Sequence, residues 1–243
     1  MSSQVQDLMD KAIQHALKVG ADFAEAKGED SITRNIEAVN KETRTVSEIH
    51  NIGIGVRVLY GKGSGFSFSD VLDEENVFRA AETAMKIARA SAKKTLIKLK
   101  LATVKTVEEK KSTEVTKHPK DVSLDEKKDL CLRQCKTAME RSKQIVSASS
   151  RFGEYYGTIY YVNSEKTKIS YEPLLIGLGI TCVAKKGKTI ADAGDSHGGS
   201  LGLITFEEEA HTPEKMAENA AEWAGAGKIK SKTSTLRKIQ RTH

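Results

Sequence analysis

Gly194-Asp-Ser-His-Gly198 has the form G-x-S-x-G, the phrase in which a strained strand-to-helix turn lifts a Ser hydroxyl toward an oxyanion hole. Ser196 would be the nucleophile of a serine hydrolase. A triad in that chain order needs an acid and a His downstream, and only Glu207–Glu209 with His211 or His243 supply them. An extended run precedes the phrase, but Gly199-Ser-Leu-Gly202 continues as another extended run, so a Gly-rich loop is the simpler reading. Cys131 and Cys135 stand four apart, a spacing that can place two metal ligands on one helix face. Both fall in an apolar stripe with no further ligand nearby in sequence, so core packing is the favoured reading, and Cys182 shares its strand face with Ile180. None of the six His is followed by Glu, which excludes the H-E-x-x-H helix of zinc peptidases. Gly61-Lys-Gly-Ser-Gly65 lacks the spacing of a phosphate-binding loop and reads as a hairpin turn. Glu207–Glu209 precede a helix, where negative charge complements the helix dipole; a weak cation site is the alternative.

Charge narrows the function classes. The net charge of +6 is carried by two segments, 86–120 at +8 and 226–243 at +6, which leaves the rest of the chain at −8. Neither basic segment holds an aromatic residue, whereas nucleic-acid-binding folds interleave the two. A nucleic-acid-associated module is therefore a disfavoured alternative, with a solvated linker preferred. The longest apolar stretch, Leu174 to Ile180, is far short of the roughly 20 residues of a membrane span, and the N-terminus has no signal-peptide pattern. Three Cys without a C-x-x-C point to a reducing, cytoplasmic setting and no membrane.

The elements that must position these residues follow from periodicity. Val5, Leu8, Met9, Ala12, Ile13, Ala16 and Leu17 form the stripe of a helix capped at Ser2 or Ser3 and stopped by Gly20. Extended segments are expected at Asp22–Lys27, Ser31–Val39 and Arg44–His50, with a tight turn at Asn40-Lys41. Gly53–Tyr60 and Phe66–Ser69 read as a hairpin. Asp70 or Asp73 then caps a helix whose stripe runs from Val77 to Ala88. A third helix is expected over Leu124–Ser147, then strands at Tyr155–Asn163, Lys166–Tyr171, Leu174–Ala184 and Thr189–Ala193. Thr212 and Pro213 open a fourth helix that Gly225 ends.

Both halves run helix, strands, helix, and share a phrase: Gly53-Ile-Gly-Val-Arg-Val before Gly61-Lys62, and Gly177-Leu-Gly-Ile-Thr-Cys before Gly187-Lys188. The expected fold is α+β, two helix–antiparallel-strands–helix units over 1–91 and 122–225, joined by a Lys-rich linker (or edge strand plus linker) over 92–121 and followed by an unpatterned basic tail, 226–243.

In order, these phrases resemble the TldD/PmbA family of metallopeptidases over roughly residues 5–224. The resemblance rests on Leu17-Lys-Val-Gly-Ala-Asp-Phe-Ala-Glu25, Gly53-Ile-Gly-Val-Arg-Val58, Ser64-Gly-Phe66, Asn163-Ser-Glu-Lys166, Gly194–Gly202 and the helix at Pro213–Ala224. Lys166 replaces the Gly of the family's N-S-x-G phrase. The resemblance implies a peptidase whose zinc is held by an H-E-x-x-x-H helix and a later Cys in a third domain, with chains paired as dimers around an enclosed cavity. This chain ends where that domain would begin, so the expectation is a truncated or frameshifted end. No residue here receives a catalytic or metal assignment, and no cofactor is expected in this chain. It would act as scaffold, peptide-channel wall or homo- or hetero-oligomer partner of a TldD/PmbA-like chain, inactive alone. Arg57, Asn163 and Ser164, polar residues within the family-like phrases, are the candidate contacts to a peptide substrate.

Overall fold

The structure, a computed structural model, describes residues 2–96, 101–200, 202 and 213–227. The Thr212 cap, the acidic run with His211, and the tail from residue 228 to His243 lie outside the described residues.

Helix α1 (Ser2–Lys18) ends as expected at Gly20, whose φ of 103° suits a residue without a Cβ. Strands β1 (Phe23–Val39) and β2 (Glu42–Tyr60) then pair antiparallel around a turn at Asn40, itself left-handed at φ 57°. Each is one unbroken strand, where the sequence suggests shorter segments. The glycines that look like breaks are close approaches. A Cβ on Gly28 would lie 2.7 Å from Met9 Sδ on α1, and one on Gly55 would lie 2.9 Å from the Phe66 ring.

Strand β3 (Gly63–Ser69) returns from a turn at Gly61, φ 57°, so Gly61–Gly65 is a hairpin. Helix α2 (Glu74–Ala92) lies directly on it. Asp73, the chosen cap, accepts the Asn76 N–H at 2.7 Å. Cβ atoms on Gly63 and Gly65 would sit 2.1 and 1.9 Å from the carbonyl oxygens of Ala88 and Ala84. Both glycines are therefore demanded by helix packing.

Within the Lys-rich segment, β4 (Glu108–Ser112) is an exposed edge strand. Helix α3 (Leu124–Arg141) starts at a capping box of Ser123 and Glu126. It ends at Arg141, six residues before the expected Ser147. Ser142 is already extended (φ −149°, ψ 134°), and the β-branched Ile145-Val146 begins β5 (Ile145–Asn163), with Ile145 opposite Ala184. Strands β6 (Lys168–Glu172), β7 (Leu174–Lys186) and β8 (Thr189–Gly199) follow, and helix α4 (Pro213–Gly225) opens on its Pro.

All eight strands join one sheet. β5 pairs with β1 over fifteen residues, and its other edge takes β7 along the first part and β6 along the last. β8 extends the β7 side and β4 runs parallel to β6, so the order is β3-β2-β1-β5 before it forks. The strands of both sequence halves thus form one continuous α+β structure.

The four α-helices among the described residues cover one face. Beneath α1 and α2 lie Ala24, Ala26, Ile54, Val56, Val58, Tyr160 and Val162; beneath α3 and α4 lie Ile36, Ala148, Phe152, Ile176, Leu178, Ile180 and Cys182. Between these two apolar clusters sits charge. Lys127 of α3 is fully buried and donates to Glu154 Oε1 (2.9 Å) and to the Pro119 carbonyl (2.7 Å). Arg34 joins the same carboxylate and also Glu48. Burial pushes the Lys127 ammonium down from its ordinary range, against the raising pull of Glu154.

Two stability tests follow. Gly65→Val should cost about 1–3 kcal/mol by driving α2 off β3, against about 1–2 kcal/mol for Gly61→Ala, where only backbone strain arises. Glu154→Leu should cost about 3–5 kcal/mol by stranding a buried ammonium. Adding Lys127→Met should recover most of that loss. Urea denaturation measures all four, and a double variant no more stable than Glu154→Leu alone would remove the pair from this account.

Candidate substrate-binding face

Side chains alternate along a strand, so the sheet has a second face, and no described helix packs on it. Register lays its residues out in rows across the strands. A central row runs Ile49, Thr33, Tyr155, Leu175. Beside it run Ser47, Asn35, Gly153, Gly177, Gly198, and then Thr45, Glu37, Arg151, Gly179, Ser196. A last row brings Ser149 to Thr181 and Gly194. Five glycines thus floor a trough of 1190 Å³, whose walls include Glu37, Arg151 and Asp192. Arg151 Nε donates to Glu37 at 2.8 Å, a pair within reach of solvent. The glycines leave main-chain surface bare, which admits an extended chain close to the sheet.

Beyond the central row lies a second trough of 550 Å³, lined by Lys27, Glu29, Asn51, Gly53, Gly55, Phe66 and Phe68. Phe68 is 70% exposed, a large apolar ring at the rim. Tyr155 Oη donates to Glu29 (3.1 Å), and Asn51 bridges to Thr33 (3.0 Å).

The three sequence candidates come together at the far end of this face, in different states. Arg57 Nε donates to Glu25 (2.6 Å), Tyr161 Oη donates to the other oxygen of Glu25 (2.8 Å), and Asn163 reaches Tyr161 Oη at 3.4 Å. Burial, then Glu25, pushes the Tyr161 phenol up, so it stays a donor. Asn163 Oδ1 accepts the N–H groups of Glu165 and Thr167 and so builds the β5–β6 turn. Ser164 bonds the backbone of Ala24 in both directions, at 2.8 and 3.1 Å. Arg57 keeps a partly exposed guanidinium on the open face, while Asn163 and Ser164 hold the turn beside it.

Ser196 does not stand on an elbow. The G-x-S-x-G phrase lies inside β8, an ordinary strand paired with β7, so the expected loop is a strand as well. Ser196 is opposite Gly179 on the open face; Asp195 and His197, opposite Ile180 and Leu178, point to the covered side. Ser196 and His197 therefore project from opposite faces, and the downstream residues a triad would need, Glu207–Glu209 with His211 or His243, lie outside the described residues. Sequence reading missed Tyr155, Arg151 and the central row. Their signal, alternation along β5, becomes visible only once β5 is known to start at Ile145.

Donors for a metal do not converge. His15 stacks on Phe78 and meets Glu82 (3.0 Å), His50 meets Asp30 (2.7 Å), and His118 Nδ1 accepts the Lys120 N–H. Among the described residues no group of three or more His, Cys, Asp or Glu could hold an ion. Within the basic segment, β4 carries two acids and then two bases, Glu108-Glu-Lys-Lys111, all exposed. No described helix is long and apolar enough to cross a membrane.

Cys131, Cys135 and Cys182 are buried, unbridged and part of the core under α3 and α4. Burial pushes the thiols of Cys131 and Cys182 up to about 11. An unfolded thiol ionises near 8.5, while these hold their protons to about 11, so the folded state binds more protons and stability falls as pH rises through that window. The slope should approach about 1.4 kcal/mol per pH unit per thiol. Urea melts at pH 8 and pH 10 measure it, and Cys182→Ala should flatten the dependence.

Comparison with known proteins places this geometry. The sequence model for PmbA/TldA metallopeptidase domain 1 matches residues 24–88, and that for the PmbA/TldA metallopeptidase central domain matches residues 117–226. A metalloprotease of Methanocaldococcus jannaschii is 25% identical over 187 residues, which are 77% of this chain and 41% of that protein. A crystal structure described as a candidate modulator of DNA gyrase from Bacteroides thetaiotaomicron superposes with a TM-score of 0.75 at 15% identity, over 92% of this chain and 51% of that one. A similarly described protein of Thermotoga maritima gives 0.70 at 16% identity, covering 93% and 50%. TldE from Thermococcus kodakarensis gives 0.64 at 17% identity, covering 90% and 47%. The chain therefore spans about half the length of these structures and less of the curated relative. With its first and central domains both matched in order, the chain belongs to the PmbA/TldD family.

Proposed function

We propose that this chain is the substrate-holding part of a PmbA/TldD-type metal-dependent peptidase. The observation that carries the reading is the open sheet face: a glycine-floored trough bordered by Glu37 and Arg151, divided from a second trough by the row Ile49–Thr33–Tyr155–Leu175. Such a surface suits an extended peptide. Bare main chain lies close to it, a row of apolar side chains crosses its path, and fixed charges of both signs meet its polar groups. Arg57, paired with Glu25 yet partly exposed on the same face, is the candidate contact to a peptide carboxylate or carbonyl, with Asn163 and Ser164 in the turn beside it.

Peptide hydrolysis by a metal enzyme needs an open-coordinated ion beside a general base. Among the described residues no group of three or more His, Cys, Asp or Glu could hold that ion, so on this reading the metal comes from residues outside those described or from another TldD/PmbA-like chain. The role proposed here is wall, scaffold and oligomer partner, with the described part inactive alone. Buried free cysteines fit a reducing cytoplasm.

Fluorescence anisotropy with labelled unstructured peptides tests the reading. Binding is expected, weakened at least tenfold by Gly177→Val, whose new side chain fills the floor while its Cβ stays 3.7 Å from the nearest atom. Arg57→Ala should weaken binding with no change in melting temperature. The protein incubated with zinc and a fluorogenic peptide should release no product. Absence of peptide binding removes the substrate-holding role, and turnover by the chain alone removes the incomplete-catalyst role.

A further inference from the structure

A strand edge left open at β2 carries the next step. β2 runs from Glu42 to Tyr60, yet β3 pairs only with its last part, Ile54–Tyr60. Which backbone groups point to that side can be read from β3. Ser64 N–H and C=O both bond to Ser91 Oγ, so Ser64 faces away from β2, and Leu59 opposite it turns its carbonyl to Asp22 N–H. Even-numbered residues of β2 therefore aim their N–H and C=O toward the β3 side. Continuing upstream, Ile52, His50, Glu48 and Val46 aim theirs into open space, with no strand paired there among the described residues.

Natural sheets blunt such edges. The β3 edge is capped by Ser91 and α2, and β4 is short and charged. The β2 edge has no Lys or Pro between Thr45 and Ile52, and it exposes Val46 (43%) and Ile49 (54%). It is also bounded. A register shift opposite Glu37/Ala38 ends its regular part near Thr45, and Ser69 of β3 takes over at Ile54.

We propose that this edge pairs antiparallel with the same edge of a second copy, about a two-fold axis at Ile49. This rests on the oligomer part of the function proposed above and names its surface. The segment is complementary to itself in that register alone among the neighbouring ones. Ile49 meets Ile49 of the second copy, Val46 meets Ile52, Ser47 meets Asn51 and Glu48 meets His50. Centring on Glu48 instead would set two glutamates face to face, and centring on Ser47 would set Arg44 against His50. On the helix-covered face the pairing completes a row of alternating charge. Arg34 holds Glu48 within one copy, Asp30 holds His50 (2.7 Å) within the other, and Glu48 and His50 meet between them. The open faces of both copies then continue one another across sixteen strands, which lengthens the trough surface.

Residues 49 and 49 would form a non-hydrogen-bonded pair, with Cα atoms about 4.5 Å apart, within disulfide range. The three native thiols are buried, so an introduced Cys is the accessible one. The full chain, purified as it is, is tested by native mass spectrometry and by copper–phenanthroline oxidation. A dimer is expected, with Ile49→Cys cross-linking to completion. Ser47→Cys and Asn51→Cys should cross-link poorly alone and well when mixed. Ile49→Lys should raise the dimer dissociation constant at least tenfold at an unchanged melting temperature. A dimer untouched by Ile49→Lys, or cross-linking blind to register, overturns this edge and leaves the oligomer standing. A monomer at 100 µM (about the upper range for a specific weak complex) overturns both this edge and the homo-oligomer, and peptide binding by that monomer would leave the substrate-holding role in place.

Discussion

The antiparallel pairing of β1 with β5 is the constraint on which everything else here depends. It joins residues more than a hundred positions apart over fifteen consecutive pairs and makes one sheet of two sequence blocks. Its tightest point is Gly157, where a Cβ would lie 2.3 Å from the Asp30 carbonyl and 2.4 Å from Ser31 Cα. The seam closes at one end through Ser164 and Ala24, and at the other through Asn40 and Ala148, which exchange two bonds of 2.8 Å. Without that seam the two halves would be small α+β layers, each with an exposed sheet edge. With it, the four described α-helices fall on one side, and no described helix packs on the broad surface of the other.

The two faces divide the labour by chemistry. The covered face carries the apolar clusters, and it carries one buried ionic group, Lys127–Glu154–Arg34, where the clusters part. A buried ion pair contributes little net stability once desolvation is counted. Its evident effect is geometric: Lys127 ties α3 to β5 and to the Pro119 carbonyl, and Arg34 ties β1 to both β2 and β5. The open face is polar, glycine-rich and crossed by one apolar row. Its small residues serve different ends. Gly63 and Gly65 exist for a helix and Gly157 for a strand, whereas Gly177 has ordinary space around it and leaves backbone exposed to solvent.

Much of the fold was legible. Helix α1, the Asp73 cap, the hairpin at Gly61 and the start of α4 at Pro213 are local events, set by capping, periodicity and turn chemistry within a few residues. The misread stretches were non-local. Ile145-Val146 continues the apolar period of α3, and only pairing with β7 makes it a strand. Gly28 and Gly53 look like strand breaks because the atoms that a Cβ there would crowd, Met9 Sδ and Ser69 O, belong to other elements. Ser196 fits a hydrolase phrase, but pairing with β7 makes the whole phrase a strand and not the strand-to-helix turn that phrase requires.

By itself, the sequence determined the α+β class, the order of the helices, the core role of the three cysteines and the family phrases at Gly53 and Asn163, because each depends on residue type and short spacing. The tertiary structure alone decided that Glu37, Arg151, Tyr155, Arg57 and five glycines share the face on which no described helix packs, and that Lys127 meets Glu154 beneath the other. Cross-strand register brings residues from four strands into one row, and no period within a single strand encodes which partner lies opposite.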